Sequence, residues 1–217
     1  MENTRFSIGD AFRHGWDKTL ANLGFMIAAF VLVIFVYIAL ASAQYVLEDA
    51  VLLAFIIGLA GAVVGTVIEM GFFKIALKAY DDQPLDYGDL FAHFHLFFKY
   101  FAAAILYGLM VFIGFILLII PGIMLAIQFY FSFYFIVDKE LGPLEALDKS
   151  SAITRGARWD IFVFFLGIFI LNIAGALVFL IGLFITIPMT LFATAYVYRK
   201  LLSSYEEATS ANVAAQS

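Results

Sequence analysis

Six long apolar blocks punctuate the chain, near 22–44, 50–73, 100–119, 122–137, 160–181 and 183–199. Each approaches the roughly 20 residues that a helix needs to cross a bilayer. The connections within successive pairs are short: Gln44 to Asp49, Pro121-Gly122, and an uncharged stretch near Gly182. Helices joined so tightly must be antiparallel neighbours, so the pattern predicts three membrane hairpins.

A polar segment with helical spacing precedes each hairpin. In the first, Ser7 and Asp10 form a capping-box-like pair, and Ile8, Phe12, Trp16 and Leu20 then recur every four residues. In the second, Asp86 caps YGDLFAHFHLFFKY, where Leu90, Phe91, Phe94, Phe97, Phe98 and Phe101 are expected to line one face. In the third, Gly142 is a permissive N-cap and Pro143 stands where its missing N–H costs nothing. Glu145 favours the positive helix end, and Arg155-Gly156 closes the segment. The openings IGDAF (8–12), YGDLF (87–91) and GPLEAL (142–147) are alike in layout. The expected architecture is an all-α integral membrane protein of six transmembrane helices, arranged as three hairpins each preceded by an interfacial amphipathic helix. It is one membrane domain over 1–217, with parallel repeats over 5–80, 85–138 and 141–201 and a flexible cytoplasmic tail over 202–217.

Charge orients this scheme. All twelve cations fall on one side of it: Arg5, Arg13, Lys18, Lys74, Lys78, Lys99, Lys139, Lys149, Arg155, Arg158, Arg199 and Lys200. The hairpin tips carry no Lys or Arg, and only Glu48 and Asp49 as acids. Because Lys and Arg in short loops set orientation, both termini are expected in the cytoplasm and the protein in the cytoplasmic membrane. Trp16 and Trp159 are expected as interfacial anchors.

Composition agrees with the blocks. The chain is 65% hydrophobic and 13% charged, with a mean hydropathy of +1.02, against roughly 45–50% and 25% in soluble domains. Ala41-Ser42-Ala43 looks like a signal cleavage site, but the apolar run from Leu23 to Ala43 exceeds a signal h-region of roughly 7–15 residues, so a retained span is expected. With no Cys, disulfides, Cys-based zinc sites and thiol nucleophiles are excluded. A net charge of −5 argues against a nucleic-acid partner, which would demand clustered cations.

Candidate chemistry is sparse. Glu69 is the one acid inside a block, five residues before Lys74, with pairing as its bland role and ion coupling as its sharp one. Gln128 and Asn172 fall near the expected midplane, where they serve either as interhelical glue or as a substrate site. His93 and His95 are two apart on an expected helix, so they point about 200° apart and make no metal pair. No HExxH, P-loop or G-x-S-x-G occurs. Gly61 and Gly65 form a small-xxx-small face for close packing, and Pro121 and Pro188 predict a broken start and a kink.

The stretch PGIMLAIQFYFSFYFIVDKELGPLEALDKSSAITRGARWDIF, with IPMTLFATAYVYRKL after it, resembles a broad group of six-pass prokaryotic membrane proteins. The group includes the YciC-like proteins and the membrane domain fused to some glycerophosphodiester phosphodiesterases. The likeness covers residues 121–201 and rests on Pro121-Gly122, Gly142-Pro143-Leu144, Thr154-Arg155-Gly156, Trp159, Pro188 and the terminal Tyr196-x-Tyr198-Arg199. It implies a six-helix membrane protein with no catalytic residues to carry over; the chain holds no phosphodiesterase domain.

The sequence thus favours a non-enzymatic scaffold or accessory subunit without cofactor or metal. Its expected partners are the lipid bilayer and a membrane protein or a second copy of itself. One alternative is a small transporter or channel using Glu69, Gln128 and Asn172. Another is a lipid-headgroup binder using Arg13, Lys18, Lys99, Lys149, Arg155 and Arg158.

Overall fold

The computed structural model describes residues 6–47, 50–178 and 180–216, so Arg5 and the tip acids Glu48 and Asp49 lie outside the described residues. Every regular element among the described residues is helical. The first unit comprises α1 (Ile8–Ala21), α2 (Leu23–Val46) and α3 (Val51–Tyr80). The second has two 3-10 turns, Tyr87–Leu90 and Phe94–Leu96, then α4 (Phe97–Leu117), α5 (Ile119–Phe129) and α6 (Ser132–Lys139). The third comprises α7 (Pro143–Thr154), α8 (Arg158–Leu177) and α9 (Leu183–Gln216).

Five segments are long and apolar enough to cross a membrane: Leu23–Val46, Val51–Tyr80, Tyr87–Leu117, Ile119–Lys139 and Arg158–Leu177. The protein is all-helical and membrane-embedded. α9 is not among the five, because its apolar stretch from Leu183 meets Arg199 and Lys200 before the length of a span is reached. It runs on as helix to Gln216, through the region where a tail was expected.

The helix starts follow from local chemistry. The Ser7 hydroxyl accepts from the Asp10 N–H at 3.2 Å. Asp86 and Asp89 close a reciprocal capping box, and Gly142 precedes Pro143 in the first turn of α7. The second polar segment departs from expectation. It forms the two 3-10 turns in place of an amphipathic helix, burying Leu90 and Leu96 and leaving Phe91, Phe94, Phe98 and Phe101 exposed.

The docked face of α1 also differs from the expected stripe. Ala11, Gly15 and Thr19 are buried, whereas Trp16 and Leu20 point outward. Lipid tails are as apolar as Leu, so a large apolar face gains little by leaving them, while small residues let backbones approach and pack. α7 repeats the device with Ala146, Ser150 and Thr154 at the same spacing, and in both helices the threonine hydroxyl donates to the carbonyl four residues back.

The polar segments lie on the returning helices in turn: α1 on α9, the first 3-10 turn on α3, and α7 on α6. Two of these contacts require glycine. A Cβ on Gly15 would run into the Met189 carbonyl and Ala193 of α9, and one on Gly71 of α3 would run into the Leu90 and Asp89 backbone. The returning helices α3, α6 and α9 form the centre, where Phe73 stacks on Tyr134 at 4.6 Å and Tyr134 lies 5.3 Å from Tyr198.

The hairpins are not equal upright columns. Within the expected fourth span, which is present as Ile119–Lys139, a turn at Tyr130-Phe131 with both residues still right-handed separates α5 from α6. Leu118 is extended before α5, so Pro121 sits harmlessly in the first turn. Beyond the turn α5 lies along α8. Ile120, Ile123 and Met124 share a hollow with Trp159 and Phe162, and Tyr130 lies 4.8 Å from Phe165. The two helices therefore run in the same sense, whereas alternating upright spans would run oppositely. The α8–α9 tip likewise stops beside the middle of α2, where Leu180 and Leu183 share a hollow with Phe30, Val33 and Ile34. From Ile34, α2 continues to Val46, about 18 Å further by helical rise.

Candidate functional site

The midplane candidates do not converge. Glu69 keeps one side exposed at the surface of α3, within hydrogen-bonding reach of the Tyr100 hydroxyl on α4. The Gln128 side chain donates to Ser151 Oγ at 2.8 Å, and its backbone carbonyl accepts from Ser150 Oγ at 2.8 Å. Gln128 thus fastens α7 to α5. Asn172 donates to the Ile168 carbonyl of its own helix at 3.1 Å, and its Oδ1 is buried without a partner. Each residue has its own partners, and none is shared.

The candidate cations divide by partner. Lys18 pairs with Asp82 and holds that exposed carboxyl below its ordinary range. Lys99 donates to the Glu140 carbonyl at 2.7 Å. Lys149 lines a hollow of about 400 Å³ with Lys139, Glu145 and Glu206, where α6, α7 and α9 meet. Arg13 and Arg155 are exposed, and Arg158 is half-buried. Trp16 and Trp159 lie on the outer surface, 44% and 72% exposed. The His93 and His95 rings lie 6.3 Å apart and nearly parallel, closer than an α-helical register would bring them. Among the described residues no group of three or more His, Cys, Asp or Glu is placed to hold a metal. Gly65 meets Tyr37 and Gly61 meets Leu40, so this small face packs α3 against α2.

The strongest polar constellation joins residues that sequence reasoning passed over. Arg199 of α9 reaches Asp138 of α6 through Nη1 at 2.7 Å and Nη2 at 3.0 Å. It also reaches Asp81, just past α3, through Nη2 at 2.6 Å and Nε at 3.2 Å. The Tyr198 hydroxyl donates to Asp138 at 3.1 Å. The Arg199 and Asp138 side chains are 16% and 8% exposed. One guanidinium thus ties together the ends of the three returning helices. Lys78 makes a smaller clamp, with both oxygens of Asp89 at 2.8 and 2.6 Å, fixing the first 3-10 turn to α3. The available signal was that Asp81, Asp138 and Arg199 each stand at the end of a second block, but pairing acids with a cation across three blocks requires the fold.

His14 lies at a second junction, its ring 5.3 Å from Tyr80 and 5.1 Å from Tyr196. Its Nε2 is buried without a partner. Burial first, and then Lys18, hold its pKa below the ordinary 6.5.

These features define an all-α, membrane-embedded protein in which Gln128 and Arg199 fasten helices to one another. No protein-family model, no curated protein and no solved structure matches this chain.

Arg199→Leu should lower stability in detergent by about 3–5 kcal/mol, because it leaves Asp138 buried and uncompensated. Arg199→Lys should not restore it, since an ammonium cannot serve two carboxylates with fixed forks. Thermal unfolding of the purified variants measures both. For His14, the lowered folded pKa means that its contribution is fully present above pH 6.5. It is lost as the pH falls below that value, where the unfolded chain takes up the proton first. The thermal midpoint should therefore fall on acidification from about pH 7.5 to about pH 5.5, and His14→Phe should reduce that slope.

Proposed function

We propose that the protein is a non-enzymatic integral membrane scaffold or accessory subunit, built of three like units. It sits in the cytoplasmic membrane with both termini in the cytoplasm. The observation that carries this reading is the use made of the polar side chains. Gln128, Arg199 and Lys78 each fix one element to another, while two cavities between membrane helices are apolar, one lined by Phe30, Val33 and Phe184 and another by Phe162, Phe165 and Tyr130. A transport path would require polar groups along a common cavity. The separate partners of Glu69, Gln128 and Asn172 weigh against it.

The three-unit reading is supported by the docking of each polar segment on a returning helix and by the matching stripes Ala11-Gly15-Thr19 and Ala146-Ser150-Thr154. The kinship with YciC-like proteins, on the motifs of residues 121–201, belongs to the same proposal. So does the topology. The tip of the second hairpin, residues 115–120, and in the third Leu177, Val178, Leu180 and Ile181, present exposed apolar side chains and no charge. Backbone N–H groups in these tips bond internally, Leu118 to the Gly114 carbonyl and Leu180 to that of Ala176, which is what hydrocarbon demands of a turn. The first hairpin crosses the membrane, with its acids on the far side, and the other two enter from the cytoplasmic face and stop inside.

Two measurements test this. Extraction of the protein from its native membrane into polymer-bounded lipid discs should retain a second protein in near-stoichiometric amount by mass spectrometry; a chain recovered without one counts against the scaffold reading. For topology, the natural absence of cysteine permits single replacements. An impermeant thiol reagent added from the far side should label Ala50→Cys and spare Leu118→Cys and Ile181→Cys. Equal labelling of all three would restore six upright spans.

A further inference from the structure

Between α4, α5 and α8 lies a cavity of about 700 Å³, lined by Tyr107, Phe115, Ile127, Tyr130, Phe165, Phe169 and their apolar neighbours. Its size falls within the roughly 300–1,000 Å³ of ligand-binding sites. It adjoins the hollow beneath Trp159, with which it shares Ile123 and Phe162, so one apolar channel extends toward the first turn of α8. All three helices belong to membrane-crossing candidates, so whatever enters the channel comes from the lipid phase.

Two arginines adjoin Trp159 along the chain, outside the apolar lining of the hollow. Arg155 is exposed in the corner between α7 and α8, and Arg158 begins α8 beside Trp159. Neither makes an ion pair or hydrogen bond among the described residues, and the Arg158 Nε is buried without an acceptor. Asp160 is two residues beyond Arg158, so its side chain leaves the helix about 200° away. Other cations are engaged: Lys18 with Asp82, Lys78 with Asp89, and Arg199 with Asp81 and Asp138. An apolar channel that reaches Trp159, with two unpaired arginines at and just before the start of the same helix, matches one chemistry, that of an acyl chain attached to a phosphate. The planar fork of Arg suits phosphate oxygens bidentately.

We infer that this channel binds an anionic glycerophospholipid, with one acyl chain between α4, α5 and α8 and its phosphate held by Arg155 and Arg158. The site does not depend on the scaffold reading, since a scaffold and a solitary chain could both carry it.

The test is native mass spectrometry of the full-length protein in detergent, titrated separately with phosphatidylglycerol and with phosphatidylcholine of the same acyl chains. One phosphatidylglycerol should be retained with about a tenfold or greater preference, the ratio expected when two basic residues face the added charge. The doubly substituted Arg155→Gln, Arg158→Gln protein should bind both lipids alike. Ala126→Leu, which narrows the channel, should weaken both lipids together and leave the preference intact. Equal retention by the unsubstituted protein, or preference surviving in the double variant, would overturn the headgroup assignment. Unchanged affinity in a folded Ala126→Leu protein would overturn the acyl-chain assignment. Should Ala126→Leu not fold, a phosphatidylglycerol bearing a photoreactive acyl terminus replaces it: crosslinks to Phe165 or Phe169 support the channel, and crosslinks confined to other helices refute it.

Discussion

One guanidinium holds the centre of this protein. Arg199 meets Asp138 and Asp81 at once, so the ends of α3, α6 and α9 are fixed at a common point. In a bilayer, burying one more leucine surface brings little, because the surrounding tails are equally apolar. Directional contacts carry more of the specificity, and a buried charge left without its partner costs several kcal/mol. Above this clamp the Phe73, Tyr134 and Tyr198 rings fill the space between the same helices, and the Tyr198 hydroxyl is spent on Asp138. The rest of the chain is arranged around those three helices.

The polar segments complete the arrangement with small residues at their closest contacts. Leu90, Leu96, Leu147 and Ile153 are buried beside those contacts, while other large apolar residues turn outward. Gly15 lets α1 settle on α9, Gly71 lets the first 3-10 turn settle on α3, and Ala146 and Ser150 do similar service for α7. Trp16, Leu20 and Leu144 remain exposed because lipid is an adequate environment for them. The same reasoning accounts for the second and third hairpin tips, which are apolar where an aqueous loop would be charged.

The turn at Tyr130-Phe131 has a large consequence for the architecture. It frees α5 from the line of α6 and lets Gln128 capture α7 through Ser150 and Ser151. It also lays α5 along α8 with the apolar cavity between them.

Much of this was legible in the residues. Helical class, membrane embedding, the caps at Ser7, Asp86 and Gly142, and the Arg155-Gly156 stop all follow from local chemistry and hydropathy, which depend on neighbours a few positions apart. The face of α1 that docks was not legible, because periodicity marks large apolar residues and does not say whether protein or lipid covers them. The 3-10 form of 87–96 was hidden by an aromatic spacing that suits a helix equally well. Nor could hydropathy see the turn at Tyr130, since both sides of it are apolar. The Arg199 clamp, the separation of Glu69, Gln128 and Asn172, and the shared direction of α5 and α8 were decided by tertiary structure alone. Each depends on contacts between residues tens of positions apart, and no local pattern encodes which distant partner will meet a charge or close a groove.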